Sequence, residues 1–248
     1  MPCSSAARGV SLVVVSVACL MGGAASAQGE EGAIIDRVVA VVRLRSGVGG
    51  RASAEASAAP LPAQVITLSG LEFEARVAFL KQGGLRAATE PLDEDALRGA
   101  LEYAISERLL VGEAEALDAW RVEAAEVEAA LRAFRDRFPT RSEFAAFLAR
   151  HEADEQALAR VLERSLRAAK VLDSKVRLRA QVAEVDVRRY YEAHQAELGS
   201  SYEQVRASLR EKLMRDRYQE LAKAELDQLR RTHDVRRVAP FARTERGG

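Results

Sequence analysis

The sequence predicts a mainly α-helical protein, with a multi-helix body, a small β-hairpin near the N-terminus and a short C-terminal strand that joins it. Hydrophobic residues make up 48% of the 248 residues, whereas aromatic residues make up only 5%. Most of the apolar surface therefore comes from Ala, Val and Leu, and these residues recur at helical spacings of three and four. No proline occurs between Pro139 and Pro240, so a long stretch is free of helix breakers.

Charge and cysteine content exclude several classes of function. The 37 basic and 37 acidic residues give no net charge, so the general attraction to nucleic acid is missing, and no nucleic-acid partner is expected. The 48% hydrophobic content excludes a disordered chain. The two cysteines, Cys3 and Cys19, lie in the first twenty residues. If that segment is removed, disulfides, cysteine–zinc sites and cysteine nucleophiles are excluded.

Residues 1–27 have the layout of a secretory signal peptide. They carry one charge, Arg8, followed by the apolar run Val10–Met21 and a small-residue site that ends at Ala27. We therefore expect cleavage after Ala27 and an exported protein. The apolar run is too short to span a bilayer, and we expect no stable membrane insertion.

A lipoprotein with Cys19 as the lipidated residue is the alternative interpretation of this segment. The preceding Ser16-Val17-Ala18 is a poor lipobox, because its first residue should be a larger apolar side chain. Simple cleavage is favoured.

Short β-branched runs at 34–42 and at Val65–Leu68 predict the two strands of the hairpin. Between them, residues 44–63 are rich in Gly, Ser, Ala and Pro, which predicts a flexible surface loop. A last short strand is expected at Asp234–Val238, before a polar tail at 239–248. Residues 28–248 are expected to form a single domain.

The first two helices are predicted from their caps. Ser69 and Glu72 have the spacing of a capping box, and Gly83-Gly84 closes the helix that they open. Asp93 caps a longer helix, which Gly112 is expected to weaken. One face of this longer helix carries Leu97, Leu101, Ile105 and Leu109.

The middle helices are predicted from the spacing of apolar residues and from their N-terminal caps. Apolar residues at Val127, Leu131, Phe134 and Phe138 predict a helix that Pro139 ends. A Thr140/Glu143 capping box opens the next helix, and Asp154 caps the one after it.

The last two helices are predicted at about 185–198, where Gly199 is the stop, and at 200–231. A Ser200/Glu203 capping box begins this long closing helix. At 1.5 Å per residue it would extend over roughly 45 Å.

No residue pattern predicts catalysis, a metal or a cofactor. His151, His194 and His233 are far apart in sequence and show no metal-ligand spacing, so exposed helix-surface histidines are expected. The acidic pairs Glu113/Glu115 and Glu126/Glu128 are two apart on helices and point in different directions, which is typical of solvated faces.

Aromatic residues supply the candidate binding surface. Phe134, Phe138, Phe144 and Phe147 flank Pro139 on two adjacent predicted helices. They form either the core of a helical hairpin or part of an apolar groove that is open to a partner segment. Trp120 follows a predicted helix end and fits either interpretation.

Several segments, in order along the chain, resemble SurA-type periplasmic chaperones. The first strand and the Val-Ile-Thr-Leu-Ser segment resemble the family's opening hairpin, and the Tyr190-Tyr191 segment resembles the one that commonly precedes its parvulin prolyl isomerase domain. The intervening matches are the helices at 97–110, 122–138 and 140–151. The parvulin signatures themselves are absent, and the chain passes directly to what resembles the closing helix.

The resemblance implies an ATP-independent chaperone that binds unfolded outer-membrane or exported proteins in the periplasm. It implies no prolyl isomerase activity, because that domain is missing. The candidate client-binding residues are Trp120, Phe134, Phe138, Phe144, Phe147, Tyr190 and Tyr191.

Two other hypotheses remain open. The same helical fold could serve as a dedicated envelope assembly or scaffold protein that binds one folded partner. An isomerase with a degenerate site is the other, and it predicts catalysed cis/trans relaxation of a proline peptide.

Overall fold

The computed structural model describes residues 36–45, 63–84 and 89–242. Within them, a three-stranded antiparallel sheet accompanies seven α-helices, which confirms the mainly α class with a small β element. The strands are β1 (Val38–Arg43), β2 (Gln64–Thr67) and β3 (Asp234–Arg237), and a short 3-10 turn follows at Pro240–Ala242. The helices are α1 (Leu68–Lys81), α2 (Glu94–Ala116), α3 (Ala124–Arg135), α4 (Arg141–Arg150), α5 (Glu155–Val176), α6 (Glu184–Leu198) and α7 (Tyr202–Thr232).

Strand β1 is the centre of the sheet, whose order is β2-β1-β3. Val41 pairs with Val65 of β2, and Val42 pairs with Val235 of β3. The sheet thus joins an early hairpin to the end of the described chain, as the sequence predicts. No helix in the described residues is both long and apolar enough to cross a membrane.

Helix α2 lies at the centre of the main core, to which β1, β2, α1, α2, α5, α7 and the residues after β3 contribute. Leu101, Ile105 and Leu109 are fully buried there, which confirms the predicted apolar face. Helix α2 continues past Gly112 to Ala116. A Cβ at Gly112 would overlap Cδ1 of Leu44, so the glycine permits close packing against the segment after β1.

The predicted 44–63 loop begins later than expected. Leu44 is 9% exposed, and the backbone N–H of Arg45 donates to Nδ1 of His233 at 3.1 Å. Leu44 therefore belongs to the core, where it packs at Gly112, and the backbone of the exposed Arg45 is fixed by His233. Ala63, the last residue of the predicted loop, is exposed before β2, and residues 46–62 lie outside the described residues.

The predicted polar tail at 239–248 also begins later. Ala239 and Ala242 are buried in the main core, and Nε of Arg98 donates to the carbonyl of Phe241 at 2.9 Å. The small side chains let this turn pack against α2, which polarity alone did not indicate. Residues 243–248 lie outside the described residues.

Most predicted helix ends are confirmed. The carboxylates of Asp93 and Asp154 accept backbone N–H groups at 2.7 Å and 2.6 Å. The hydroxyl of Thr140 accepts the N–H of Glu143 at 3.2 Å. Gly199 ends α6 in the left-handed conformation, with φ of 59°, which glycine adopts without strain.

Two predicted capping boxes are wrong. Thr67, two residues earlier than predicted, caps α1 by accepting the N–H of Gly70, because the hydroxyl of Ser69 donates to Asp36 instead. At α7 the box is shifted by one residue, to Ser201 and Gln204.

His233 is buried, so the prediction of an exposed helix-surface histidine is wrong at this position. It follows α7 and accepts the Arg45 N–H through Nδ1, which requires that this nitrogen be unprotonated. Burial, together with Arg45 and Lys175, lowers the pKa of His233 against the opposing effect of Glu113.

We expect Gly112→Ala to destabilise the protein by up to about 2 kcal/mol. The new methyl overlaps Leu44, and overpacking of this kind costs roughly 1–3 kcal/mol, which exceeds the gain of about 1 kcal/mol from helix propensity. Gly99→Ala is the matched control in the same helix, because a Cβ there meets nothing within 4 Å. It should stabilise by about 0.5–1 kcal/mol. Urea unfolding measures both changes, and equal effects would contradict the packing argument.

The free energy of unfolding should fall as the pH drops below 6.5, the ordinary pKa of histidine. Because the folded pKa of His233 is lowered, the unfolded chain binds more protons in this range, and stability is lost until the folded pKa is reached. His233→Gln should show a shallower decline between pH 7.5 and 5 by urea unfolding. Parallel curves for the two proteins would show that His233 does not contribute.

Candidate binding cleft

The four candidate phenylalanines belong to a second core, which we call the phenylalanine core. Phe134, Phe144 and Phe147 are at most 4% exposed, so these rings do not form an open client-binding surface. Helices α1 and α5 cover them, which was not visible from α3 and α4 alone. The buried members of this core are Phe73, Val77, Leu80, Phe134, Phe144, Phe147, Leu148, Leu158 and Leu162.

Ring contacts hold the phenylalanine core together. The centroid of Phe147 lies 6.0 Å from that of Phe134 and 5.4 Å from that of Phe138, which is half-buried at the edge. His151 packs against Phe147 at 5.1 Å, and burial lowers the pKa of its imidazole. The buried rings therefore pack as the core of a helical hairpin and do not line an open groove.

Trp120 lies in the connection between α2 and α3 and is half-buried against the main core. It has a φ of 53°, and Asp118 has a φ of 47°, a conformation that non-glycine residues rarely adopt. An ion pair between Asp118 and Arg121 and a bond from Arg167 to the carbonyl of Ala119 hold this turn. Trp120 thus anchors the connection between α2 and α3 to the main core.

Tyr190 and Tyr191 lie on α6, half-buried against α7. Tyr190 stacks on His194 with centroids 4.1 Å apart, and Tyr191 meets Tyr202 at 5.3 Å. The structure therefore divides the predicted aromatic site among the phenylalanine core, the α2–α3 connection and the α6–α7 hairpin. The predicted cleavage position Ala27 and the lipidation alternative at Cys19 lie outside the described residues.

An open apolar cleft lies where α1, α2 and α5 meet. Its volume is about 550 Å³, within the range of small-ligand and peptide side-chain sites. Its lining residues are Glu74, Ala75, Val77, Ala78, Phe79, Lys81, Gln82, Ala96, Gly99, Ala100, Tyr103, Ala104, Glu107, Val161, Leu162 and Ser165. We call this feature the α1–α2–α5 cleft.

Small residues on α2 leave the space that forms the cleft. Ala96, Gly99, Ala100 and Ala104 follow one another at spacings of three, one and four, so they share one face of the helix. The large apolar residues of α2 lie on another face, so their spacing gave no indication of this one. The small-residue spacing is the signal that could have found it.

A polar group of three side chains lies at one wall of the cleft. Nζ of Lys81 donates to Oγ of Ser165 at 3.0 Å, and the hydroxyl of Tyr103 lies 3.4 Å from the same Oγ. Burial lowers the pKa of Lys81. Burial and the charge of Glu107 raise the pKa of Tyr103, which remains a hydrogen-bond donor at neutral pH.

A charged network connects the three helices beside the cleft. Arg108 of α2 binds the Glu74 carboxylate of α1 through two bonds, of 2.8 Å and 3.1 Å. In α5, Nη2 of Arg164 lies 2.6 Å from Oε1 of Glu74, and its Nε lies 3.4 Å from Oε2 of Glu107. Because these groups are largely buried, losing one partner would leave a desolvated charge, so the network fixes the walls of the cleft.

The lining of the cleft offers apolar contact together with hydrogen-bond donors. Nζ of Lys81 and Oγ of Ser165 are 3.0 Å apart, a distance that also fits a base and a nucleophile. Acyl chemistry would further need donors for an oxyanion, from backbone N–H groups or from side chains. The N–H groups of Gln82, Gly83 and Gly84, at the end of α1, already donate to carbonyls of the same helix. No group of three or more metal-ligating side chains is found in the described ranges.

No protein-family model matches the chain, and no curated protein matches it either.

We expect Phe147→Ala to destabilise the protein by roughly 3–5 kcal/mol, because it removes a fully buried ring from the phenylalanine core. Phe138→Ala is the matched comparison, since its ring contacts the same cluster from a half-buried position. The free energy of unfolding should fall clearly less in Phe138→Ala than in Phe147→Ala. Chemical unfolding measures both, and equal losses would contradict the burial difference.

Proposed function

We propose that the protein is an ATP-independent periplasmic chaperone that binds unfolded outer-membrane or exported proteins and lacks prolyl isomerase activity. The observation that carries this proposal is the α1–α2–α5 cleft, an open apolar surface on a folded helical body. Such a surface can hold apolar side chains of an unfolded chain without rearrangement of the core. The signal-peptide pattern of residues 1–27 supports export.

The lining of the cleft favours weak and exchangeable binding. Its small and aliphatic side chains, such as Ala78, Ala100 and Val161, provide contact without a single deep anchor. A protein that captures unfolded chains reversibly lowers their free concentration by mass action, and it needs no ATP for release. The cleft also replaces the phenylalanine core as the candidate client site, because that core is closed.

Client breadth is the first test of the proposal. A denatured outer-membrane protein and an unrelated denatured protein are each diluted into buffer with the purified protein, and light scattering reports aggregation. We expect suppression of both without ATP. Suppression of neither would overturn the proposal, and suppression of one alone would favour a dedicated assembly factor. A prolyl peptide assay should give the buffer rate.

Filling the cleft should weaken client binding. Gly99→Leu places a side chain into open space, since a Cβ at this position meets no atom within 4 Å. Leucine also has the better helix propensity, so the fold should be retained. We expect the dissociation constant for a fluorescent client peptide to rise about tenfold, equivalent to roughly 1.4 kcal/mol.

Ala169→Leu is the control for added hydrophobicity. Ala169 is exposed on α5 and is not among the residues that line the cleft. Its affinity for the same peptide should equal that of the unmodified protein. An unchanged affinity in Gly99→Leu, with circular dichroism showing an intact fold, would place client binding elsewhere.

A further inference from the structure

The cleft carries an unbalanced positive charge. Among the charged groups of the network beside it, the carboxylates of Glu74 and Glu107 are balanced by the guanidinium groups of Arg108 and Arg164. Lys81 is the additional charge at this wall, and it forms no ion pair with any residue in the described ranges. Its hydrogen-bond acceptor is the neutral hydroxyl of Ser165.

Two charged groups act on Lys81 in opposite directions. Glu107 attracts the ammonium, although its carboxylate also lies 3.4 Å from Nε of Arg164. Arg137, which donates to the carbonyl of Leu80 at 2.9 Å, repels it. Apolar lining on one side and an ammonium without an ion-pair partner in the described ranges on the other give the cleft two distinct recognition features.

We propose that the α1–α2–α5 cleft selects client segments in which an apolar side chain is followed by Asp or Glu, with Lys81 pairing the acidic side chain. The inference rests on the proposed function and names the client chemistry of the same site. The apolar side chain packs against the alanines of α2, while Ser165 and Tyr103 supply hydroxyl donors beside the ammonium.

Charge complementarity favours this occupant over a purely apolar one. A carboxylate that replaces Ser165 as the partner of Lys81 gains a charge-assisted hydrogen bond, which is stronger than a neutral one. Burial lowers the pKa of Lys81. A client carboxylate beside the ammonium favours its charged form and would raise that pKa.

The test uses two peptides that differ in one charge. Both contain the same aliphatic run, followed by Glu in one and Gln in the other, with acetylated and amidated ends so that the side chain provides the difference. Fluorescence anisotropy measures each dissociation constant. We expect the Glu peptide to bind about three- to tenfold more tightly, and the preference to shrink in high salt.

Lys81→Met separates the charge from the apolar contact. It keeps an unbranched side chain but removes the ammonium, so both peptides should bind with the affinity of the Gln peptide. Lys223→Met, at an exposed lysine on α7 outside the cleft, should retain the preference. Circular dichroism confirms the fold of each variant.

The outcomes separate this inference from the proposed function. Equal binding of both peptides by the unmodified protein, or a preference that survives in Lys81→Met, would overturn the charge selection while client binding stands. Binding of neither peptide, together with no suppression of aggregation, would overturn both proposals.

Discussion

The fold depends on how α2 satisfies its charges while lying at the centre of the protein. This helix is buried on most of its surface, yet it carries Glu102, Glu107, Arg108 and Glu113 among its buried and half-buried residues. A charge in such surroundings must be paired, since an unpaired one costs several kcal/mol. Apolar contacts tolerate small rotations of neighbouring helices, whereas an ion pair fixes both direction and distance.

The buried and half-buried charges of α2 pair with several neighbouring elements. Glu102 accepts two bonds from Arg237 of β3, of 2.7 Å and 2.9 Å. Glu113 pairs with Lys175 of α5, which also binds Glu225 of α7 at 2.7 Å. With Arg108 and Glu74 joining α1, the pairs connect α2 to the elements that surround it. The α1–α2–α5 cleft is stable as an open feature because its walls are held by these pairs rather than by side chains filling the space.

Local signals in the sequence predicted local structure well. Asp93, Asp154 and Gly199 act within four residues of their own positions, so their roles can be derived without knowledge of the rest of the chain. Ser69 failed as a cap because Asp36, more than thirty residues away, takes its hydroxyl. His233 is buried where the backbone N–H of Arg45, just after β1, donates to its Nδ1. These errors share one cause, which is a partner distant in sequence.

The candidate site was harder to predict, because it depends on where three helices leave space. Aromatic residues drew attention to the phenylalanine core, but large rings are efficient at burying themselves and are therefore weak indicators of an open surface. The α1–α2–α5 cleft arises from the opposite kind of residue, the small side chains of Ala96, Gly99 and Ala100. A chaperone that used its own core aromatics for clients would have to open that core at each binding event. Because the rings of Phe134, Phe144 and Phe147 do not line the α1–α2–α5 cleft, the proposed binding of clients there needs no opening of the phenylalanine core.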